Sequence, residues 1–397
     1  MIRVYYAERD ATLYEQYENQ NTGIDQILEI AKIASGSILN GQVQQNQYLT
    51  RFLIDFGSQI TTISSSISAG EIPEIADHAK SASVHIELKA ADASDLLHTY
   101  TVETYAVSES WQNGNGNYSD DPIVKNGVSW KYRTEDQSGA WDVDNAMGST
   151  SNTQPLDLNT NYTVANGGGT WLTGSDYYEA SRVYQNESPD IRIDVGHIIN
   201  AWISSSNNTA ADGDKQITNN GFLFKFSDTN ENSNEILGSI KFFGRESHTI
   251  FVPKLLVSWD DTQFTSTPGT DEIGSDTYVP YFKNIKDEYR SADIAKFRLG
   301  VRPEFPNKRF QTSSFYLTGE KLPTSSYYSI LDSVTNETII PFDTQSTQID
   351  CDLNGNFFKL RMDSFFPERF YKIMLKIERS GSTDVQTFDD FYFKVVN

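Results

Sequence analysis

Apolar and polar residues alternate with a period of two along several stretches of the chain, the spacing that sends successive side chains to opposite faces of a strand. Phe52, Ile54 and Phe56 alternate with Arg51, Leu53 and Asp55; Val84, Ile86 and Leu88 with His85, Glu87 and Lys89; Ile191, Ile193 and Val195 with Arg192 and Asp194. Each predicts a strand with one covered face. Further strands are expected over Gly221–Ser227, Gly238–Gly244 and Pro253–Trp259, separated by loops such as 228–235 that are rich in Asn, Asp and Ser. Short strands with turn residues between them predict a sandwich or barrel. One segment breaks the rhythm. Val195, Ile198, Ile199 and Trp202 fall at i, i+3, i+4 and i+7, the apolar stripe of a helix, and Asp194 is placed to cap it. A two-turn helix following a strand is expected there.

From Thr262 to Asp276 the sequence becomes small, polar and acidic, and all six tryptophans precede it. That shift reads as a domain boundary. Strand patterns resume at Phe297, Leu299, Val301, at Phe358, Leu360, Met362, at Tyr371, Ile373, Leu375, Ile377 and at Phe391, Phe393, Val395. About seven strands in this last part would suit an Ig-like sandwich. The expectation is an all-β chain: a large jelly-roll-like β-sandwich with one short helix over 1–262, a linker over 263–276, and an Ig-like β-sandwich over 277–397. A length of 397 residues with 21 Tyr, 23 Phe and only 4 Met agrees with more than one aromatic, strand-rich core.

Charge and cysteine usage narrow the function classes. With 32 Lys and Arg against 54 Asp and Glu, the net charge of −22 would repel duplex DNA, so nucleic acid is not an expected partner. The single Cys351 and five scattered histidines supply neither an internal disulfide nor a soft-metal site. No run approaches the roughly 18 apolar residues of a membrane span, and Met1 to Glu8 lacks the apolar core of an export signal. Synthesis in the cytoplasm without the usual export route, and no membrane partner, are therefore expected.

Ordered segments carry a family resemblance. The chain opens with Asp10-Ala11-Thr12-Leu13-Tyr14-Glu15, then Asn21-Thr22-Gly23 and the apolar run 27–30, followed by Arg51-Phe52-Leu53-Ile54-Asp55-Phe56 and the strand 82–89. Next come Ser108-Glu109-Ser110-Trp111, Gly127-Val128-Ser129-Trp130, the run 190–202, Asn220 to Phe224, Phe242 to Glu246, and Pro253 to Trp259. In order and spacing, over about the first 250 residues, this resembles the DNRLRE family of β-sandwich domains found in secreted and surface proteins. The insertions 64–80 and 139–190 depart from that pattern and could carry contacts the family would not imply. Leu322 to Tyr328, Ile340 to Asp343 and Pro367 to Ile373 look like segments of virion structural proteins from contractile-tailed phages of marine bacteria. Because DNRLRE-like domains normally leave the cell through a signal that is not seen here, the two resemblances together imply a phage particle, assembled in the host cytoplasm and released by lysis.

Residue types that could carry chemistry each have a plainer reading. Asp142 with Asp144, or Asp389 with Asp390, could act as a carboxylate pair but read as solvated surface. No G-x-S-x-G occurs, and His197 and His248 read as structural. Asn166-Gly167-Gly168-Gly169-Thr170-Trp171 lacks the Lys and helix start of a phosphate loop and reads as a tight turn. Asp212-Gly213-Asp214 and Asp228 to Asn232 offer hard oxygen ligands without the EF-hand pattern, so a structural calcium is the one ion kept in view. Trp111, Trp130, Trp171 and Trp202 could form a platform for sugar rings but read as core, Trp111 and Trp171 being the least settled. The Asn-x-Ser/Thr positions Asn117, Asn161, Asn186, Asn207 and Asn336 read as turn residues.

No catalytic, cofactor or metal residue is therefore assigned. The favoured function is a non-enzymatic structural component of a tailed phage virion (head, neck, tail or baseplate) acting through contacts with other virion proteins, as a homo-oligomer of unspecified symmetry. The alternative is an adhesin that recognises host surface polysaccharide through the N-terminal sandwich. A polysaccharide-degrading enzyme would need a further catalytic domain.

Overall fold

The computed structural model describes residues 1–39, 42–75, 81–141, 167–172, 178–206, 217–265, 271–274, 277–305, 320–378 and 385–397. It divides into two units, Tyr5–Leu256 and Met1–Val4 together with Val257–Asn397. The chain is all-β, with two-sheet sandwiches and few helices, as the alternating patterns predict.

The larger unit contains β1 (Ile2–Tyr6, shared at its start with the other unit), β2 (Arg9–Tyr14), β3 (Ile27–Leu39), β4 (Gln42–Asp55), α1 (Ser58–Ser68), β5 (Ser83–Leu88), β6 (Ala90–Ser94), β7 (Thr99–Ala106), β8 (Glu179–Gln185), β9 (Ile191–Asp194), α2 (Gly196–Ser206), β10 (Phe222–Phe226), α3 (Asp228–Asn232), β11 (Gly238–Phe243) and β12 (Lys254–Ser258). Four strands form one sheet in the order β1-β12-β5-β9. Eight form the other, in the order β6-β11-β3-β4-β10-β7-β8, with β2 on β4.

β5 keeps the expected alternation, with Val84, Ile86 and Leu88 buried and the residues between them half-buried. β4 does not. Every residue from Arg51 to Phe56 is buried, and so is every residue of β10. One face of these two strands carries Phe52, Phe222 and Phe224; Phe52 stacks on Phe224 at 4.8 Å, and Trp202 of α2 covers Phe222 at 4.8 Å. The opposite face, with Arg51, Leu53, Leu223 and Lys225, is also covered. The cover comes from 107–141 and 167–172, long segments almost without regular structure.

α2 confirms the apolar stripe: Ile198, Ile199 and Trp202 are buried, and the Asp194 carboxylate accepts from the Gly196 N–H at 2.9 Å. It continues to Ser206, past the two turns expected. Two more α-helices accompany it among the described residues. In α1, Ile60 and Ile63 are buried while Thr62, Ser65 and Ser68 return their hydroxyls to carbonyls four residues back. α3 lies within the expected loop 228–235, started by Ser227, whose hydroxyl accepts from the Asn230 N–H.

The second unit contains β13 (Asp271–Glu272), β14 (Tyr278–Phe282), β15 (Glu288–Arg290), β16 (Ile294–Pro303), β17 (Glu320–Lys321), β18 (Ser326–Asp332), β19 (Thr338–Ile340), β20 (Asp350–Asp352), β21 (Gly355–Arg361), β22 (Arg369–Glu378) and β23 (Val385–Val396). One sheet runs β13-β17-β16-β21-β20 with β14 on β16, and the other runs β15-β23-β22-β18-β19. Rings from the two sheets meet in a shared core: Tyr328 stacks on Phe358 at 4.2 Å, and Phe282 meets Phe391 at 4.6 Å. Several of these strands are two or three residues long, too short for periodicity to reveal, which is why more strands are found than the pattern predicts. Met1 to Val4 group with this unit through Arg3, 2.8 Å from Asp363, and the Val4 N–H, 3.1 Å from the Ser364 hydroxyl.

Candidate functional site

Three of the tryptophans considered for a sugar platform form a layer over the second face of β4 and β10. Trp111, Trp130 and Trp171 are buried with Leu13, Leu53 and Leu223, and Trp111 and Trp171 are each only 2% exposed. The Trp111 indole N–H donates to the Asn220 carbonyl at 2.8 Å, and Arg9 lies 4.3 Å over its ring. No open ring face remains for a ligand to stack on. Trp202 is buried on the other side of the sheet.

Charges are buried beneath this layer. The Arg51 guanidinium sits 5.2 Å from the Trp130 ring and 5.1 Å from Trp171. It forks onto Glu231, with Nε to Oε1 at 3.1 Å and Nη2 to Oε2 at 2.6 Å, and Nη1 donates to the Gly168 carbonyl at 3.1 Å. The Lys225 ammonium lies 3.4 Å from Glu231 and 2.6 Å from Asp228. Within Asp228 to Asn232, Glu231 thus faces a guanidinium and an ammonium, and Asp228 faces the same ammonium.

The glycine loop serves the same layer. Gly167, Gly168 and Gly169 all have positive φ, and a Cβ on Gly167 would stand 2.1 Å from the Trp130 carbonyl oxygen. The Gly168 N–H donates to that carbonyl at 2.6 Å and so is not free for a phosphate. Asn21, fully buried, fastens the other end: its amide donates to the Asn113 and Val128 carbonyls at 2.7 and 2.8 Å, and its carbonyl accepts from the Gly116 N–H at 2.7 Å.

The remaining candidates are scattered. Asp142, Asp144, Asn161, Asn166, Asn207 and Asp212-Gly213-Asp214 lie outside the described residues, as does most of the insertion 139–190. Asp389 and Asp390 form a bulge opposite Met374, where β23 slips against β22, and Asp389 pairs with Lys372 at 2.6 Å. The His197 ring nitrogen Nε2 lies 2.8 Å from the Glu179 carbonyl, and His248 is exposed in a left-handed conformation. Asn186 and Asn336 also adopt positive φ, and Asn117 bridges a turn to the Ser119 N–H. Cys351 is a buried free thiol whose pKa is pushed up by burial. Among the described residues no group of three or more His, Cys, Asp or Glu is placed to hold a metal, and no helix is long and apolar enough to cross a membrane.

Two surface features escaped the sequence reading. The first is an open cleft of about 380 Å³ lined by Tyr14, Asp25, Glu29, Asn117, Tyr118 and Lys241, among others. The Tyr14 and Tyr118 rings are 4.8 Å apart and tilted by 43°, and Tyr118 is 46% exposed. Glu29 accepts from the Tyr14 hydroxyl at 3.1 Å and the Ser239 hydroxyl at 2.7 Å. Asp25 accepts from the Tyr118 N–H at 3.2 Å, and burial raises its pKa. The second feature is the outer face of β22 and β23. Phe370 stands opposite Lys394 and Lys372 opposite Tyr392, so aromatic rings and lysines alternate; Phe370 is 53% and Tyr392 49% exposed. The lysines are balanced by Asp389 and Glu368.

No family model and no curated protein matches the chain. Among solved structures it is similar to a DUF4785 family protein from Legionella pneumophila, at 7% identity and a TM-score of 0.18, with all of this chain aligned to 62% of that one. The chain thus spans less than two thirds of that protein's length.

Proposed function

We propose that this chain is a non-enzymatic structural component of a tailed phage particle, assembled through protein–protein contacts and present as a homo-oligomer. The observation that carries the reading is the outer face of β22 and β23. Exposed Phe370 and Tyr392 are of the aromatic type that anchors interfaces, and the ion-paired lysines around them have the character of a polar rim. The resemblance of Leu322 to Tyr328 and of Pro367 to Ile373 to contractile-tail virion proteins falls on the same unit. The conversion of tryptophans, glycines and buried charges into a packed layer supports a scaffold role over a catalytic one.

Two measurements test it. Mass spectrometry of purified particles is expected to detect the chain in a fixed ratio to other virion proteins, and its absence would sink the proposal. The double substitution Phe370→Asp, Tyr392→Asp is expected to leave thermal unfolding within a few degrees of wild type, since both rings are half in solvent, while abolishing incorporation into particles. Unimpaired incorporation would mean that this face is not the contact.

A further inference from the structure

We infer that the cleft between Tyr14 and Tyr118 is a binding site for a neutral saccharide. The inference is independent of where the protein resides. It rests on the kind of groups that meet there.

The cleft presents both signs of charge without satisfying either kind of ion. Asp25 and Glu29 line it on one side, so an anionic ligand such as a uronate or a phosphate meets two carboxylates. Lys241 lines it too, in register with Glu29 across β11 and β3, and has no ion pair with a described residue, so an organic cation meets an ammonium. A ligand of hydroxyl groups is suited to both. Each sugar hydroxyl donates to a carboxylate and accepts from an ammonium or an amide, and Asn117 adds a further polar edge. Glu29 is held by the Tyr14 and Ser239 hydroxyls, and Asp25 by two backbone N–H groups, at 3.2 Å from Tyr118 and 3.3 Å from Ile27. The acceptors are therefore fixed before a ligand arrives, which lowers the ordering cost of binding.

The aromatic wall supplies the apolar half. Tyr118 is 46% exposed, and its ring is braced by Tyr14 at 4.8 Å and by Tyr17 at 6.0 Å, edge on. A braced, half-exposed ring covers the C–H face of a pyranose at little side-chain entropy cost, since the ring has only two torsions to lose. The volume of about 380 Å³ lies within the range of about 300–1,000 Å³ usual for small-ligand sites and is open to solvent, which suits one or two rings of a longer chain. Tyrosines here take the part that the tryptophans, buried elsewhere in the unit, cannot play.

The test is an array of neutral glucose, mannose, galactose and N-acetylhexosamine oligosaccharides, with alginate and heparin as anionic controls, followed by titration calorimetry of the full chain with any saccharide that binds. At least one neutral oligosaccharide is expected to bind in preference to the anionic polymers. Tyr118→Ala is expected to weaken it roughly tenfold or more, the size of a typical aromatic anchor, and Tyr118→Phe to keep it within about threefold, because stacking is retained. Asp25→Asn, with the ring intact, separates the polar contribution and is expected to weaken binding by about tenfold as well. The proposal is overturned if no neutral saccharide binds, if the anionic polymers bind better, or if a bound saccharide is indifferent to Tyr118→Ala while the variant's melting profile matches wild type.

Discussion

At the scale of single residues, the charged groups of the larger unit are the most exacting. Glu231 is shared by Arg51 and Lys225 beneath the tryptophans, all three being nearly inaccessible to water. Removing one partner of a buried pair leaves an uncompensated charge, which typically costs about 3–5 kcal/mol. Glu231→Leu leaves the buried Arg51 guanidinium with no carboxylate, Lys225 keeping Asp228, whereas Arg51→Met leaves a carboxylate that Lys225 still faces. Urea unfolding should therefore rank Glu231→Leu as the more destabilising, with Arg51→Met near the lower end of that range. Equal losses would mean that Lys225 contributes nothing to the pair. Asp10 gives a pH-dependent counterpart. It is 1% exposed, accepts from the Arg245 N–H, and burial raises its pKa from 3.8 to about 7. A carboxyl with a folded pKa above its unfolded one adds stability that is present below about pH 4 and lost as the pH rises through about 7. Asp10→Asn keeps an acceptor oxygen and cannot ionise, so thermal scans should show it gaining on wild type at pH 8 and losing that gain at pH 4. A difference that does not change with pH would place the titration elsewhere.

At the scale of elements, legibility followed periodicity. α2 could be read because Val195, Ile198, Ile199 and Trp202 make a clean stripe, and β5 because one face is buried and the other is not. α1 has its own stripe in Ile60, Ile63 and Ile67, but Ser and Thr fill the positions between and their preference for loops masked it. Arg51 reads as lying on an uncovered face because alternation reports which residues share a face and not what covers it. The cover is irregular chain, whose shape is set by hydrogen bonds to Asn21 and by the glycine conformations, and neither has a sequence period. The tyrosine cleft was illegible for the same reason: residues 14, 25, 29, 118 and 241 meet only through sheet pairing and that loop. Asn21→Ala tests the account. It removes an acceptor and two donors inside the layer, at about 1–3 kcal/mol for each group left unsatisfied, and should speed amide hydrogen exchange across 112–128 well before it affects β5 or β9. Unchanged protection in that loop would show that the tryptophans alone hold it.

At the scale of the whole molecule, the two units carry separate aromatic cores, one around Phe52, Phe224 and Trp202, the other around Phe297, Phe358 and Tyr328. The expectation of a break near 262 came from composition alone, whereas the division lies inside β1 and β12, so that Met1 to Val4 group with the C-terminal unit. A chain with two cores need not unfold in one step. Truncating a large buried aromatic costs about 3–5 kcal/mol, and for units of this size each kcal/mol shifts a transition by roughly 2–4 °C. Trp202→Ala should therefore lower one calorimetric transition by several degrees and leave a second near its wild-type position, while Phe297→Ala should do the reverse. If either substitution moves both transitions together, the chain unfolds as one cooperative unit.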